Sequence, residues 1–172
     1  IKGTFDTQYR MHPAINDVIA QFYIEDSEKG LLCGLPADEA YHNSFVKWDS
    51  RYHGLKYENL ITPETHTIWI NVNTPEIQEG TSRVNFGEID AIDNILQVLK
   101  NSEGKSEFDN WLSNKSQEEK QIGLISFYGK QINYIEQMLV QNHTDLYKGK
   151  GKINDKENLI RLSTVDRFQG ME

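Results

Sequence analysis

Ile122-Gly123-Leu124-Ile125-Ser126-Phe127 is a short run, apolar but for Gly123 and Ser126, too brief for a globular helix and too apolar for a surface loop. Such runs, roughly four to eight residues long, read as buried strands. Ile132, Ile135 and Leu139 then recur at helical spacing, and Leu159-Ile160-Arg161-Leu162-Ser163 is a further strand-like run. Strand, helix and strand in that order predict a parallel pair joined by a crossover helix. Strand cores this continuously apolar predict a sheet covered on both faces.

The same alternation extends toward the N-terminus. Thr67-Ile68-Trp69-Ile70-Asn71-Val72 is β-branched and aromatic and reads as another buried strand. A turn-rich stretch from Thr74-Pro75 to Gly80-Thr81-Ser82 follows. Next comes a helix from about residue 85 to 100, with Ile89, Ile92, Ile95, Leu96 and Leu99 on one face. A first helix is expected over 13 to 24, opened by Pro13 and carrying Ile15, Val18, Ile19 and Phe22. The fold class is therefore α/β, and ligands of such sheets lie at the carboxyl ends of the strands. Residues 28 to 66 are punctuated by Gly30, Gly34, Pro36, Gly54 and Pro63 and read as an irregular connection with a short strand near Leu31-Leu32. Residues 101 to 120 are polar, with an island at Phe108, Trp111 and Leu112, and read as a surface insertion.

Bulk composition narrows the function. The 172 residues carry 18 Lys and Arg against 26 Asp and Glu, a net charge of −8, which argues against binding nucleic acid or anionic membrane over the whole surface. A local basic groove stays open, and Lys148, Lys150, Lys152 and Lys156 form a basic loop that either is solvated or touches phosphate. The single cysteine, Cys33, excludes an internal disulfide and any multi-cysteine metal site, and reads as a small buried hydrophobe. His42, His53 and His66 fit no ligand spacing and are expected on the surface, so no metal site is predicted. No apolar run approaches membrane-spanning length and no signal pattern opens the chain, so an intracellular, cytoplasmic location and no membrane partner are expected. Gly104-Lys105-Ser106 matches the tail of a phosphate loop, but Leu99 stands where that motif needs glycine, and we reject it.

The chemistry is concentrated at Gln8-Tyr9-Arg10-Met11-His12-Pro13. An aromatic ring beside a guanidinium, on the approach to a helix, can stack on a base while the planar fork holds phosphate oxygens bidentately. Taken alone, such a pair is far more often a packed Tyr and a surface ion pair.

The far end of the chain changes that balance. Together with Thr164-Val165-Asp166-Arg167-Phe168-Gln169-Gly170-Met171-Glu172, the first stretch resembles motifs IV and V of superfamily 1 helicases, in the Upf1-like group that includes the Dna2, Nam7 and Sen1 types. Ser82, Asn85 and Glu88 resemble that group's S-x-x-N-x-x-E stretch, and residues 122 to 131 resemble its IGVITPY-x-x-Q stretch. The four occur in the family's order. Two departures stand out: Ser126-Phe127 replaces the usual Thr-Pro, and Met171 replaces a commoner basic residue.

The resemblance implies a RecA-like (P-loop NTPase-type) parallel sheet with helices on both faces, the second of two such domains. Residues 1 to 172 would then be an incomplete fragment of a larger protein. ATP with magnesium would be bound mainly by the N-terminal RecA-like domain of the same parent chain. Carried over, Arg10 is the catalytic arginine finger. Tyr9 stacks near the adenine, Gly170 approaches the phosphates through its backbone, and Glu172 bonds the ribose. Ser126, Tyr128, Ser163 and Thr164 face a single strand of DNA or RNA. The implied function is the C-terminal motor domain of an ATP-dependent helicase or translocase, inactive in isolation. The alternative is a noncatalytic RecA-like module that docks protein or nucleic acid.

Overall fold

In the computed structural model the described residues are 6–9, 11–24, 30–34, 59–62, 65–101, 122–151 and 157–168. The chain divides into two compact units, one formed by Ile1–Leu55 with Asn59–Trp69 and the other by Lys56–Glu58 with Ile70–Glu172.

In the first unit, strand β1 (Thr7–Gln8) pairs in parallel with β2 (Leu32–Cys33), Thr7 opposite Leu32 and Gln8 opposite Cys33. Helix α1 (Pro13–Ala20) lies between them in sequence. Pro13 occupies its first turn, where a missing N–H costs nothing, and the His12 Nδ1 accepts from the Ala14 N–H at 3.1 Å as the cap. Asn16 is buried and donates from Nδ2 to the Leu31 carbonyl at 3.0 Å, which ties the helix to the segment entering β2. The helix is shorter than the expected 13 to 24. After Ala20 the chain tightens into a 3₁₀ turn, Gln21–Tyr23, which takes Phe22 off the helical stripe and leaves it 78% exposed.

In the second unit, β3 (Ile77–Glu79) and β4 (Ser82–Val84) form an antiparallel hairpin, followed by α2 (Phe86–Asn101). Then come β5 (Ile122–Ser126), α3 (Gly129–Asn142), β6 (Ile160–Thr164) and the short α4 (Val165–Phe168). β5 and β6 are parallel, in register from Ile122 opposite Ile160 to Ser126 opposite Thr164, as the strand–helix–strand order predicts. α3 packs against both strands, against β4 and against α2. The core is built from Ile89, Leu96 and Leu99 of α2, Ile132, Ile135 and Leu139 of α3, and Ile160. Each such side chain contributes about 1.5–3 kcal/mol on leaving water.

A polar network centred on the buried His143 ties the end of α3 to the middle and the last turn of α2. His143, fully buried just past α3, contacts the Asp93 carboxylate through Nε2 at 2.7 Å and the Lys100 ammonium through Nδ1 at 3.3 Å. An ammonium can only donate, so Nδ1 accepts and the proton sits on Nε2, facing Asp93. Lys100 also pairs with Asp145 at 2.6 Å. Burial pushes the Asp93 carboxyl up, but hydrogen bonds from His143, Asn142 and Gln97 outweigh it, and the net shift is downward.

Several expectations are corrected. Residues 67 to 72 form no strand, and Trp69 is 92% exposed. Among the described residues no strand lies beside this run, and β-propensity is realised only against a pleated neighbour. The turn-rich stretch after it is the β3–β4 hairpin, closed by Gly80 at φ 65°, the positive φ that a tight hairpin loop requires. β5 is not buried on both sides, since its exposure alternates and Ile125 is 50% exposed. Cys33 is only partly buried and its sulfur accepts from the Gln8 amide at 3.1 Å. His66 is half-buried, stacked on His12 with ring centroids 3.6 Å apart. His42, His53, residues 102 to 120 and Gly104-Lys105-Ser106 lie outside the described residues. Among the described residues no helix is long and apolar enough to cross a membrane.

Candidate functional site

At the carboxyl end of the parallel pair, Ser126 and Thr164 stand opposite one another, which sets two hydroxyls side by side where the strands end. The Ser126 hydroxyl accepts from the Tyr128 N–H at 3.3 Å and so shapes the turn into α3. Tyr128 caps that helix in extended conformation, φ −110°, without a side-chain cap bond. One of the N–H groups that a helix start leaves over, that of Lys130, donates instead to the Ser82 hydroxyl at 3.2 Å.

Ser82 belongs to the S-x-x-N-x-x-E stretch, and its other members reach the same turn. Asn85 caps α2, its Oδ1 accepting from the Glu88 N–H at 3.2 Å. In a reciprocal capping box Glu88 would reach back to the Asn85 N–H. Here Gln131 takes that N–H with Oε1 at 2.9 Å. The Gln131 amide nitrogen donates to the Asn85 carbonyl at 3.2 Å and to Glu88 at 3.1 Å. Both Asn85 and Gln131 are buried, so each bond replaces water that cannot enter. The two stretches that resemble separate helicase motifs are thus one clasp holding the start of α2 against the start of α3.

Charge surrounds this clasp in pairs. Arg83 bonds Glu76 at 2.8 Å, and that bond, Glu76's charge and then Tyr128 raise the guanidinium's pKa above its ordinary value. The Tyr134 hydroxyl donates to Glu79 at 2.9 Å, which raises the phenol. Lys130 lies 4.0 Å from Glu79. An open cleft of about 650 Å³ runs past Ser82, Phe127, Tyr128, Lys130 and Asn133. A smaller cavity, about 180 Å³, lies among Arg83, Asn85, Glu88, Ser126 and Gln131. Of the proposed strand-facing residues, Ser126, Tyr128 and Thr164 gather at this edge. Ser163 is buried although Ile125, its neighbour across the pair, is half exposed, so its hydroxyl is not presented to solvent.

The basic loop is largely neutralised where it is described. Lys148 pairs with Glu157 at 2.5 Å and Lys150 with Glu136 at 2.6 Å. Lys152 and Lys156 lie outside the described residues.

In the other unit, the side chain of Gln8 closes on Met11 from both ends: Oε1 accepts from the Met11 N–H at 2.6 Å and Nε2 donates to the Met11 carbonyl at 3.3 Å. These two bonds draw Gln8 and Met11 together. Tyr9, between them in sequence, is 68% exposed, with its ring lying on Gly34, where any Cβ would collide with three ring atoms. One face of the ring therefore rests on backbone while much of the side chain stays open, which fits a planar base. Arg10, Gly170 and Glu172 lie outside the described residues. Asn85 and Gln131 are visible in the sequence only as motif members, because pairing between amides 46 positions apart leaves no periodic signal. Among the described residues no group of three His, Cys, Asp or Glu side chains could hold a metal ion.

The model of a family of AAA domains, AAA_12, matches residues 2–172. No curated protein matches the chain.

Proposed function

The chain belongs to the AAA_12 family, a domain found in Upf1-like superfamily 1 helicases, and from that premise we propose that it is the C-terminal motor domain of an ATP-dependent helicase or translocase. Its fold is α/β, of the RecA-like, P-loop NTPase type. The observation that carries the proposal is the clasp of Ser82, Asn85, Glu88 and Gln131, which fixes the Ser126–Thr164 hydroxyl pair and the Tyr128 turn at the carboxyl edge of the sheet. Small hydroxyls and N–H groups on a rigid edge hold a sugar–phosphate backbone without reading its bases, which suits a motor that steps along any sequence.

On the nucleotide side, Tyr9 would take the adenine, Gly170 the phosphates and Glu172 the ribose. Arg10 would neutralise charge on the equatorial oxygens of the transferred phosphoryl group. Phosphoryl transfer is accelerated by positioning and charge compensation, so an arginine supplied from a second domain couples hydrolysis to closure. Magnesium and the phosphate loop would come from the N-terminal RecA-like partner domain.

Calorimetry and ATPase assays test this division. The 172 residues alone are expected to bind ATP no tighter than about millimolar, near 4 kcal/mol, with negligible turnover, while the full-length protein hydrolyses ATP in response to single strands. Micromolar ATP binding by the isolated 172 residues would overturn the two-domain assignment.

A further inference from the structure

We propose that Phe127 is a base-stacking platform for a single nucleic-acid strand, an inference that rests on the strand-binding reading above and adds a residue to it. Phe127 is the first residue past β5 and is 82% exposed. A phenylalanine left this open forgoes the stabilisation that burial gives the other aromatic residues of a domain. Its backbone nonetheless lies between two ordered elements, β5 and α3. The Tyr128 N–H is bonded to Ser126 and α3 begins at Gly129, which holds the backbone on the C-terminal side of the ring. Ile125, half-exposed and two residues earlier, gives the ring an apolar flank on the same side of the strand.

What lies beside the ring selects the occupant. The adjoining cleft of about 650 Å³ is lined by Thr81, Ser82, Lys130 and Asn133, and by Glu79, whose carboxylate already accepts from the Tyr134 hydroxyl. Lys130 is 52% exposed and its approach to Glu79, at 4.0 Å, is too long for a hydrogen bond. A planar apolar face next to hydroxyls, an amide and an ammonium matches one nucleotide unit, base on ring and sugar–phosphate in the cleft. A protein partner would call for a continuous apolar patch, whereas this ring borders a polar cleft. Because every base offers a π-face, the contact is independent of sequence.

The test uses the full-length protein and fluorescence anisotropy with labelled single strands, deoxy and ribo, each compared with an abasic strand of equal length. Phe127→Leu should weaken binding to the base-bearing strand about tenfold, within the range that base–aromatic stacking supports, and Phe127→Trp should retain it. The abasic strand should not distinguish Phe127→Leu from the unaltered protein, and the salt dependence should keep its slope. Lys130→Gln should instead make that slope shallower by about one. Thermal melting of Phe127→Leu should match the unaltered protein, since the side chain is exposed. Equal binding of the base-bearing strand by Phe127→Leu, or equal losses on both strands, overturns the stacking role and leaves the strand-binding reading standing. An unaltered protein that binds no single strand overturns both.

Discussion

The loop at residues 8 to 11 and the clasp joining residues 82–88 to 126–131 hold their polar groups by opposite means. In the loop one half-buried amide, Gln8, bridges to a residue three positions away, beside strands of two residues each. In the clasp the bonded residues are 46 apart in sequence, buried, and seated at the starts of helices of 16 and 14 residues. The difference teaches where precision is invested. The clasp holds the starts of two helices together, while the loop stands beside an exposed ring, Tyr9, carried on strands of two residues.

The largest expected effect lies in the loop and is catalytic. In the full-length protein Arg10→Ala and Arg10→Lys should each lower strand-stimulated kcat by at least about a hundredfold with nucleotide affinity changed less than about tenfold, because lysine lacks the planar fork. Near-normal kcat in Arg10→Ala would make the arginine a surface ion pair and leave the loop without chemistry.

Stability should show the reverse ranking. Gln131→Ala strands the buried Asn85 N–H and carbonyl and should cost about 2–3 kcal/mol, whereas Gln8→Ala, half-exposed, should cost about 1 kcal/mol or less. Equal shifts in denaturant midpoint would break the contrast drawn above. A smaller effect is expected at the base. Tyr9→Ala should weaken nucleotide binding about tenfold with little change in kcat, and Gly34→Ala should imitate it by pushing the ring off its seat, as a fluorescent-nucleotide titration can read.

The smallest effect is confined to acid. The Asp93 carboxyl is held below its ordinary value of 3.8, so its contribution is present above that value and is lost as pH falls through the lowered one. Asp93→Asn should therefore flatten the decline of melting temperature below about pH 4 while lowering stability near neutrality. An unchanged acid limb would mean that the His143 network does not govern it.

The sequence predicted the parallel β5–β6 pair and the two long helices because their apolar periods are strong and local. It misplaced Trp69 in a buried strand because β-branched composition states a tendency and not a partner. It concealed the hairpin at 77–84 because Gly80 and Pro75 read as punctuation around a segment too short to show alternation. At the site, Ser126 and Thr164 were legible through resemblance, but their adjacency follows from register, which no single strand encodes. The burial of Ser163 does not follow from register, since its partner Ile125 is half exposed.

The network around His143 also bears on how the molecule tolerates change. It fastens the middle of α2 through Asp93, and its last turn through Lys100, to the end of α3, so whatever leaves the helix after Asn101 departs from an anchored post. The chain returns at Ile122, the amino end of β5, at the edge of the sheet remote from Ser126 and Thr164. A fluorescent tag or a tether joined at either post is thereby attached to anchored backbone, at the end of the parallel pair away from Ser126 and Thr164.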